Sequence, residues 1–361
     1  MEEHNEQADS AFAFEGTWQE FAPIAFTNLL LTIVTLGIYR FWATTRERQY
    51  LWSRSRFVDE NLEWAGTGKE LFFGFLIVAV VLLLPFFVIS QVAQALVLQG
   101  QEALGGILFL ATFVFIFYIT GVARFRALRY RLSRTRWRGI RGGSDDQGFK
   151  FGLSYMWKTM AGYFTGGLLT PWAMVSLWNE RWSKMSFGPH KFEAYAQSGE
   201  VLLRFLLFYL LPFLIFIAGG IAALLGAGAG YGLGGEGGAM AGGVFGIVIA
   251  VLVFYLGLGL IAVAFYSKFY EVVVGGTQWK DLHFEFSAST KDWLMLFLGD
   301  IALVVFTLGI GYIFLSYRHW KFFMTHMEAG GEIVLDELTQ SQTSDSQTGE
   351  GLLDAFDVGA I

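Results

Sequence analysis

Long uncharged apolar runs alternate with short polar and basic stretches along the chain. The runs are Phe21–Tyr39, Leu71–Gln101, Ala103–Ala123, Thr159–Asn179, Phe205–Gly235, Gly237–Ser267 and Trp293–Tyr317, the last broken only by Asp300. About 20 apolar residues cross a bilayer as a helix, so a strict count gives seven spans. Between the runs the pattern shortens to strict alternation, which predicts strands. Three precede a polar-tinged run: Phe12–Glu15, Trp137–Ile140 and Leu282–Phe286. Three follow one: Leu62–Trp64, Phe192–Tyr195 and Ile333–Leu335.

The runs recur in order. A shift of 272 residues lays Thr35-Leu36-Gly37-Ile38 on Thr307-Leu308-Gly309-Ile310, Asn28 on Asp300 and Arg46 on Arg318. A shift of 133 lays Leu36 on Leu169, Tyr39 on Trp172 and Glu47-Arg48 on Glu180-Arg181. A threefold β-a-β-b-c repeat follows, in which a is a short broken segment and b and c are long spans. Unit one covers 1–136, with its a helix near 21–39 and spans near 71–93 and 104–123. Unit two covers 137–278, with its a helix near 156–178 and spans near 203–226 and 244–267. A partial unit three covers 279–337, with its a helix near 293–317. Residues 338–361 form an acidic tail expected to be largely disordered.

Charge chooses between topologies. Residues 124–153 hold nine Lys and Arg, whereas 94–102 and 227–243 hold none. Seven strict spans leave 16 cationic residues inside and 6 outside, an arrangement that also obeys the positive-inside rule. If the a segments enter and leave on one face, all 22 lie inside. The a segments carry Asn28, Asp300 and several Thr, with breakers at Gly37, Gly166-Gly167, Pro171 and Gly309, as re-entrant helices require. The favoured fold class is a polytopic α-helical membrane protein with four long spans, three shorter broken helices and a small cytosolic β cap. Both termini are then cytoplasmic.

Composition supports the membrane. Of 361 residues, 54% are hydrophobic and 16% charged, with 37 Phe and a net charge of −6. The acidic start shows no cleavable signal, so the first apolar segment is expected to direct its own insertion. With no cysteine, disulfides, thiolate metal sites and Cys nucleophiles are excluded.

Several strings carry a family resemblance. Val34-Thr35-Leu36-Gly37-Ile38-Tyr39-Arg40-Phe41-Trp42 with Arg46 and Arg48, then Arg134-Thr135-Arg136-Trp137-Arg138-Gly139-Ile140-Arg141, resemble the YjgN family of bacterial inner-membrane proteins. The closing Gly349–Gly359 is similar to that family's ending. Unit two departs from it, with Leu169-Thr170-Pro171-Trp172 where a Thr-Leu-Gly-like turn is expected. The resemblance implies a bacterial inner-membrane location and no assigned activity.

Three features are candidates for function. Arg124, Arg126, Arg129, Arg131, Arg134, Arg136 and Arg138 form a run without an acid, suited to lipid or ligand phosphate, or else to setting topology alone. Asn28 and Asp300 sit inside apolar segments, where a carboxylate marks a relay or cation site, or else pairs with an Arg. The equivalent positions Gly37, Tyr39, Trp42, Arg46, Arg48, Trp172, Arg181, Gly309 and Arg318 form the repeat motif. The Gly-rich Gly232–Gly237 follows no strand, so a dinucleotide reading fails and a turn is expected. The five His show no metal-ligand spacing, and no metal or cofactor is expected. A transporter or channel for a small solute or ion is the first reading, and a non-enzymatic scaffold for anionic lipid or protein partners the second. A lipid-modifying enzyme lacks a catalytic signature. Nucleic acid is not an expected partner, and homo-oligomerisation is left open.

Overall fold

The computed structural model of the protein describes residues 10–334 and 337–343, with backbone only at 81 and 82. Helices α1 (Trp18–Val34) and α2 (Arg40–Ser53) follow strand β1 (Phe12–Phe14). Thr17 starts α1 by accepting from the Glu20 amide, the usual way a Thr satisfies a free N–H at a helix start. Strands β2 (Ser55–Phe57), β3 (Glu60–Asn61) and β4 (Glu63–Trp64) lead to α3 (Gly68–Val78), a π-helical turn (Ala79–Leu83) and α4 (Leu84–Leu98). Pro85 accounts for the irregular turn, because it lacks the N–H for an i→i−4 bond. The long α5 (Glu102–Arg134) then ends in hairpin β5 (Thr135–Trp137) and β6 (Ile140–Gly143).

The second half follows the same rhythm. Helices α6 (Phe149–Phe164) and α7 (Thr170–Trp182) precede hairpin β7 (Ser186–Phe187) and β8 (His190–Ala194). Helices α8 (Gly199–Phe205) and α9 (Leu207–Gly275) precede β9 (Thr277–Trp279) and β10 (Leu282–Phe286). Last come α10 (Thr290–Phe306), a 3-10 turn (Ile310–Phe314), α11 (Leu315–His326) and β11 (Met327–Gly330).

These elements overturn the architecture of four long spans, a β-a-β-b-c unit and a small cap. Among the described residues two helices are long and apolar enough to cross a membrane, Glu102–Arg134 and the composite Gly199–Gly275. Pro85 divides the apolar run at 71–101 into shorter helices, and the runs at 205–235 and 237–267 form the two arms of α9 on either side of a break at Gly234-Gly235. In place of a small cap there is an eight-stranded antiparallel sheet in the order β11-β10-β9-β8-β7-β6-β5-β4, besides the three-stranded β1-β2-β3. Strand positions shift too. Trp137–Ile140 is a turn, with Trp137 paired to Ile140 across Arg138 (φ 53°) and Gly139 (φ 73°), the left-handed pair that a two-residue hairpin needs. Ile333 and Val334 are irregular, and Met327–Gly330 is the strand that pairs with β10. Leu335 lies outside the described residues, as do 344–361 and the closing Gly349–Gly359 string. Residues 337–343 run along the sheet: Gln340 accepts from the Arg141 amide at 3.1 Å and donates to the Gly139 carbonyl at 3.0 Å.

Aromatic cores hold sheet to helices. Phe57, Trp137, Trp279 and Leu282 are buried together, and the Trp279 indole donates to the Phe187 and His190 carbonyls at 3.2 and 3.3 Å. A second cluster joins the chain's two ends: Tyr317 of α11 stacks on Phe21 of α1, and its hydroxyl donates to the Gly16 carbonyl at 2.9 Å. By contrast, the apolar windows of α5 and of α8–α9 are almost wholly unburied within the protein.

Within α9 the backbone leaves helical geometry at Gly234 (φ −152°) and Gly235 (φ 60°), and the chain doubles back. The two arms meet backbone to backbone. A Cβ on Gly230 would lie 2.0 Å from the Gly238 carbonyl oxygen, whereas one on Gly228 would meet nothing within 4 Å. Small residues permit that approach in an apolar medium, where packing rather than water drives helix contact. Gly230→Ala is expected to cost about 1–3 kcal/mol by forcing the arms apart, and Gly228→Ala to be neutral or mildly stabilising. Thermal unfolding of both variants in detergent checks this; equal midpoints would refute the close contact.

Candidate functional site

Three helix–turn–helix pairs place the polar residues that interrupt the apolar runs. Each turn begins at a Thr whose hydroxyl donates to the carbonyl four residues back: Thr35 to Leu31, Thr165 to Ala161 and Thr307 to Leu303, at 2.7, 2.8 and 2.6 Å. The same hydroxyls accept from the amides of Tyr39, Leu169 and Gly311 four residues on. Left-handed residues then reverse the chain: Leu36-Gly37 (φ 50° and 92°), Gly166-Gly167 (62° and 101°) and Leu308-Gly309 (53° and 93°).

Seven residues before each Thr lies a buried polar side chain that ties the two helices. Asn28 donates to the Ala43 carbonyl and to Glu47 at 3.2 and 3.4 Å and accepts from Arg46 at 3.3 Å. Asp300 binds Arg318 Nε at 2.6 Å and His319 Nε2 at 2.6 Å. Lys158, 4% exposed, donates to Ser176 at 2.7 Å and pairs with Glu180. Sequence comparison missed Lys158, because a shift of 133 sets Asn28 against Ala161. The turn Thr, at a shift of 130, was the available register mark.

The other motif residues serve the same pairs. Tyr39 accepts from Arg46 at 3.2 Å and stacks on Trp42, with ring centroids 6.3 Å apart. Arg48 is buried with its guanidinium 4.9 Å from the Trp64 ring centroid. The Lys158 ammonium lies 5.6 Å from the Trp172 ring. His326 bonds the Phe322 carbonyl rather than His319. No cluster of three or more His, Asp or Glu suited to a metal exists among the described residues.

The arginine run does not form one patch. Arg126 donates to the Gln147 carbonyl at 3.2 Å, Arg134 pairs with Glu70 at 3.0 Å, and Arg138 pairs with Asp59. Arg129 is buried, Arg131 half-buried and Arg136 exposed. Arg124 alone of the seven turns into a cavity of about 910 Å³ between α5, α6, α7 and the end of α9. Arg181, from the repeat motif, lines the same cavity, as does Lys158. No acidic side chain lines it.

Two of its three cations lack the partner that Lys158 has. Arg181 is 7% exposed, stands 5.7 Å from the Trp178 ring, and takes no ion pair or hydrogen bond among the described residues. Arg124 packs 5.6 Å from the Tyr155 ring, and its buried Nε has no hydrogen-bond partner. Burial, then the charges of Arg124 and Arg131, pull the Arg181 pKa down to about 10, which leaves the guanidinium charged at neutral pH. Like charges in a low-dielectric pocket repel strongly. Aromatic faces offset part of that and leave the N–H edges directed elsewhere.

Residues 9–355 match the family described as bacterial protein of unknown function (DUF898). Inner membrane protein YjgN of Escherichia coli O157:H7 is 29% identical over 131 residues, 36% of this chain and 30% of its own length. The same-named protein of Salmonella typhimurium is 28% identical over 130 residues, again 36% and 30%. The matched segment thus spans under a third of these relatives. No solved structure matches. The resemblance seen in the sequence is thereby confirmed.

Asp300 supplies the only acid opposite Arg318 among the described residues, whereas Glu47 stands beside Arg46 in the first pair. Asp300→Asn should therefore cost about 1.5–3 kcal/mol, the worth of a hydrogen bond to a charged group. Thermal unfolding in detergent reads this, and an unchanged midpoint would show that the pair is not structural.

Proposed function

The chain belongs to the DUF898 family and is a bacterial inner-membrane protein, and from that premise we propose that it is a multi-pass, non-enzymatic scaffold that gathers anionic lipid at its cytoplasmic face. A protein partner or a second copy at the sheet is a further element of this reading. One observation carries it: the polar and ionisable groups that interrupt the short apolar helices are engaged by partners across helix–turn–helix units. Lys158 meets Glu180, Asp300 meets Arg318 and His319, and Asn28 bridges Arg46 and Glu47. Residues 103–123, 206–235 and 237–267, the apolar portions of the two membrane-capable helices, contain no ionisable side chain other than Tyr. A transporter needs exchangeable polar groups along a path, and these are neither exchangeable nor on the long helices.

The sheet end holds the basic residues, whereas 227–243, around the Gly234 reversal, holds none. By the positive-inside rule the sheet and both termini face the cytoplasm and the reversal faces outward. Lys and Arg at such a face attract anionic lipid at roughly 1 kcal/mol each. No cofactor is invoked.

Two measurements test the reading. Since the chain has no cysteine, single cysteines at Glu236 and Lys191 can be labelled without background. A membrane-impermeant maleimide should reach position 236 in intact spheroplasts and position 191 only after lysis; labelling at 191 beforehand would reverse the orientation. Proteoliposomes of the purified protein should hold proton and potassium gradients as long as empty vesicles do. Dissipation that Asp300→Asn abolishes would reinstate a transporter.

A further inference from the structure

We propose that Arg124 and Arg181 together hold the phosphate of an anionic lipid headgroup in the cavity between α5, α6, α7 and the end of α9. The proposal rests on the reading that the protein gathers anionic lipid, and it names the site and the recognised group.

The electrostatics demand an anion. The cations opposite the buried polar residues of the other helix pairs have a counter-group, as buried Lys158 has Glu180 and half-buried Arg318 has Asp300. Arg181 has none, and the charge it feels most, that of Arg124, shares its sign. Burying a charge without a partner is strongly unfavourable, and an acidic side chain is the usual remedy. This cavity contains no acid. A ligand carrying the negative charge supplies what the walls do not. Two guanidinium groups on separate helices, each backed by an aromatic ring, suit the tetrahedral oxygens of a phosphate, which accept paired N–H donors.

The remainder of the cavity selects a lipid over a free anion. Its lining runs from Arg181 to Gly166 and Gly167 at the α6–α7 turn, where Tyr163 is 71% exposed and Phe164 84% exposed. Tyr266 and Phe269 of α9 form another wall, on a helix whose apolar window is unburied. Cationic and exposed apolar linings side by side match a headgroup with its chains lying along α9. Thr159 and Thr170 also line the cavity and offer hydroxyls for further phosphate or glycerol oxygens. Lys158, the third cation of the lining, is paired with Glu180, so its charge is already met.

The test is native mass spectrometry of the full-length protein in detergent, with added dioleoylphosphatidylglycerol, dioleoylglycerol or inorganic phosphate. One phosphatidylglycerol should be retained per chain, and dioleoylglycerol, which lacks the phosphate, should not. R124Q and R181Q should each weaken retention at least tenfold. R181K keeps the charge without the planar fork and should fall between. In lipid-free detergent R181Q should keep or raise the thermal midpoint, because it removes a repelling charge. A lowered midpoint there would make Arg181 a packing residue and overturn the assignment. So would equal retention by wild type and both Gln variants. Displacement of the lipid by equimolar inorganic phosphate would reassign the site to a soluble phosphate. Loss of retention in R181Q with leaky proteoliposomes would keep this site while rejecting the scaffold reading. Tight vesicles with no retained lipid would do the reverse.

Discussion

A charge set among apolar side chains has to be neutralised within a few ångströms, and this requirement organises the short helices of the protein. Each helix–turn–helix pair carries one polar side chain seven residues before its turn, and the partner comes from the opposite helix: Arg46, Glu180 or Arg318. The pairing sets how the two helices face one another. The Thr at each turn solves the matching backbone problem, giving its proton to a carbonyl and its lone pair to an amide that the reversal would otherwise strand. The chemistry differs among the pairs, amide in one, ammonium in another, carboxylate in the third, yet the placement is common. Against that background the Arg124–Arg181 cavity stands apart, because it gathers charge of one sign only.

The sheet answers a different need. Every strand neighbour in it is the next in sequence, joined either by a tight hairpin or by helices that return to the same layer. Indole rings do much of the fastening. Trp52 stacks on Trp320 at 4.0 Å, and the Trp320 N–H reaches Ser55 at 2.8 Å, linking α2, α11 and β2. Trp137 is 1% exposed beneath the hairpin at Arg138-Gly139. Aromatic pairs add directional preference to simple burial, which suits a layer that must grip helices whose outer faces remain apolar.

Much of the membrane character was legible in the sequence, and so was the family. The long uncharged runs and the Arg-Trp-Arg-Gly string are local signals that survive without any tertiary information. The architecture was less legible, for identifiable reasons. Apolarity alone does not distinguish one helix from two, so the effect of Pro85 on the 71–101 run went unread. Alternation around Trp137 looks like a strand because Trp137 and Ile140 directly flank the left-handed Arg138-Gly139 turn, and Arg138 gives no hint of a positive φ. Of the candidate site, Arg124 and Arg181 were both singled out, but in unrelated groups 57 residues apart in number. Their shared cavity depends on how α5 packs against α7, which no spacing rule encodes. Lys158 immediately precedes the uncharged run at 159–179, and nothing in that position signals its burial beside Glu180 and Trp172.

The bond between the Tyr317 hydroxyl and the Gly16 carbonyl joins residues 301 positions apart. It bears on the order in which the molecule can be assembled at the ribosome. The three hairpins β5–β6, β7–β8 and β9–β10 close within a few residues of their own synthesis, so each can form as the chain emerges. The surface of Phe14 and Phe21 that receives Tyr317 must wait until almost all of the polypeptide has been made. Closing so long a loop is slow relative to local pairing. During that interval the first helix pair presents uncovered aromatic rings, the kind of surface that chaperones and insertases recognise in an unfinished membrane protein.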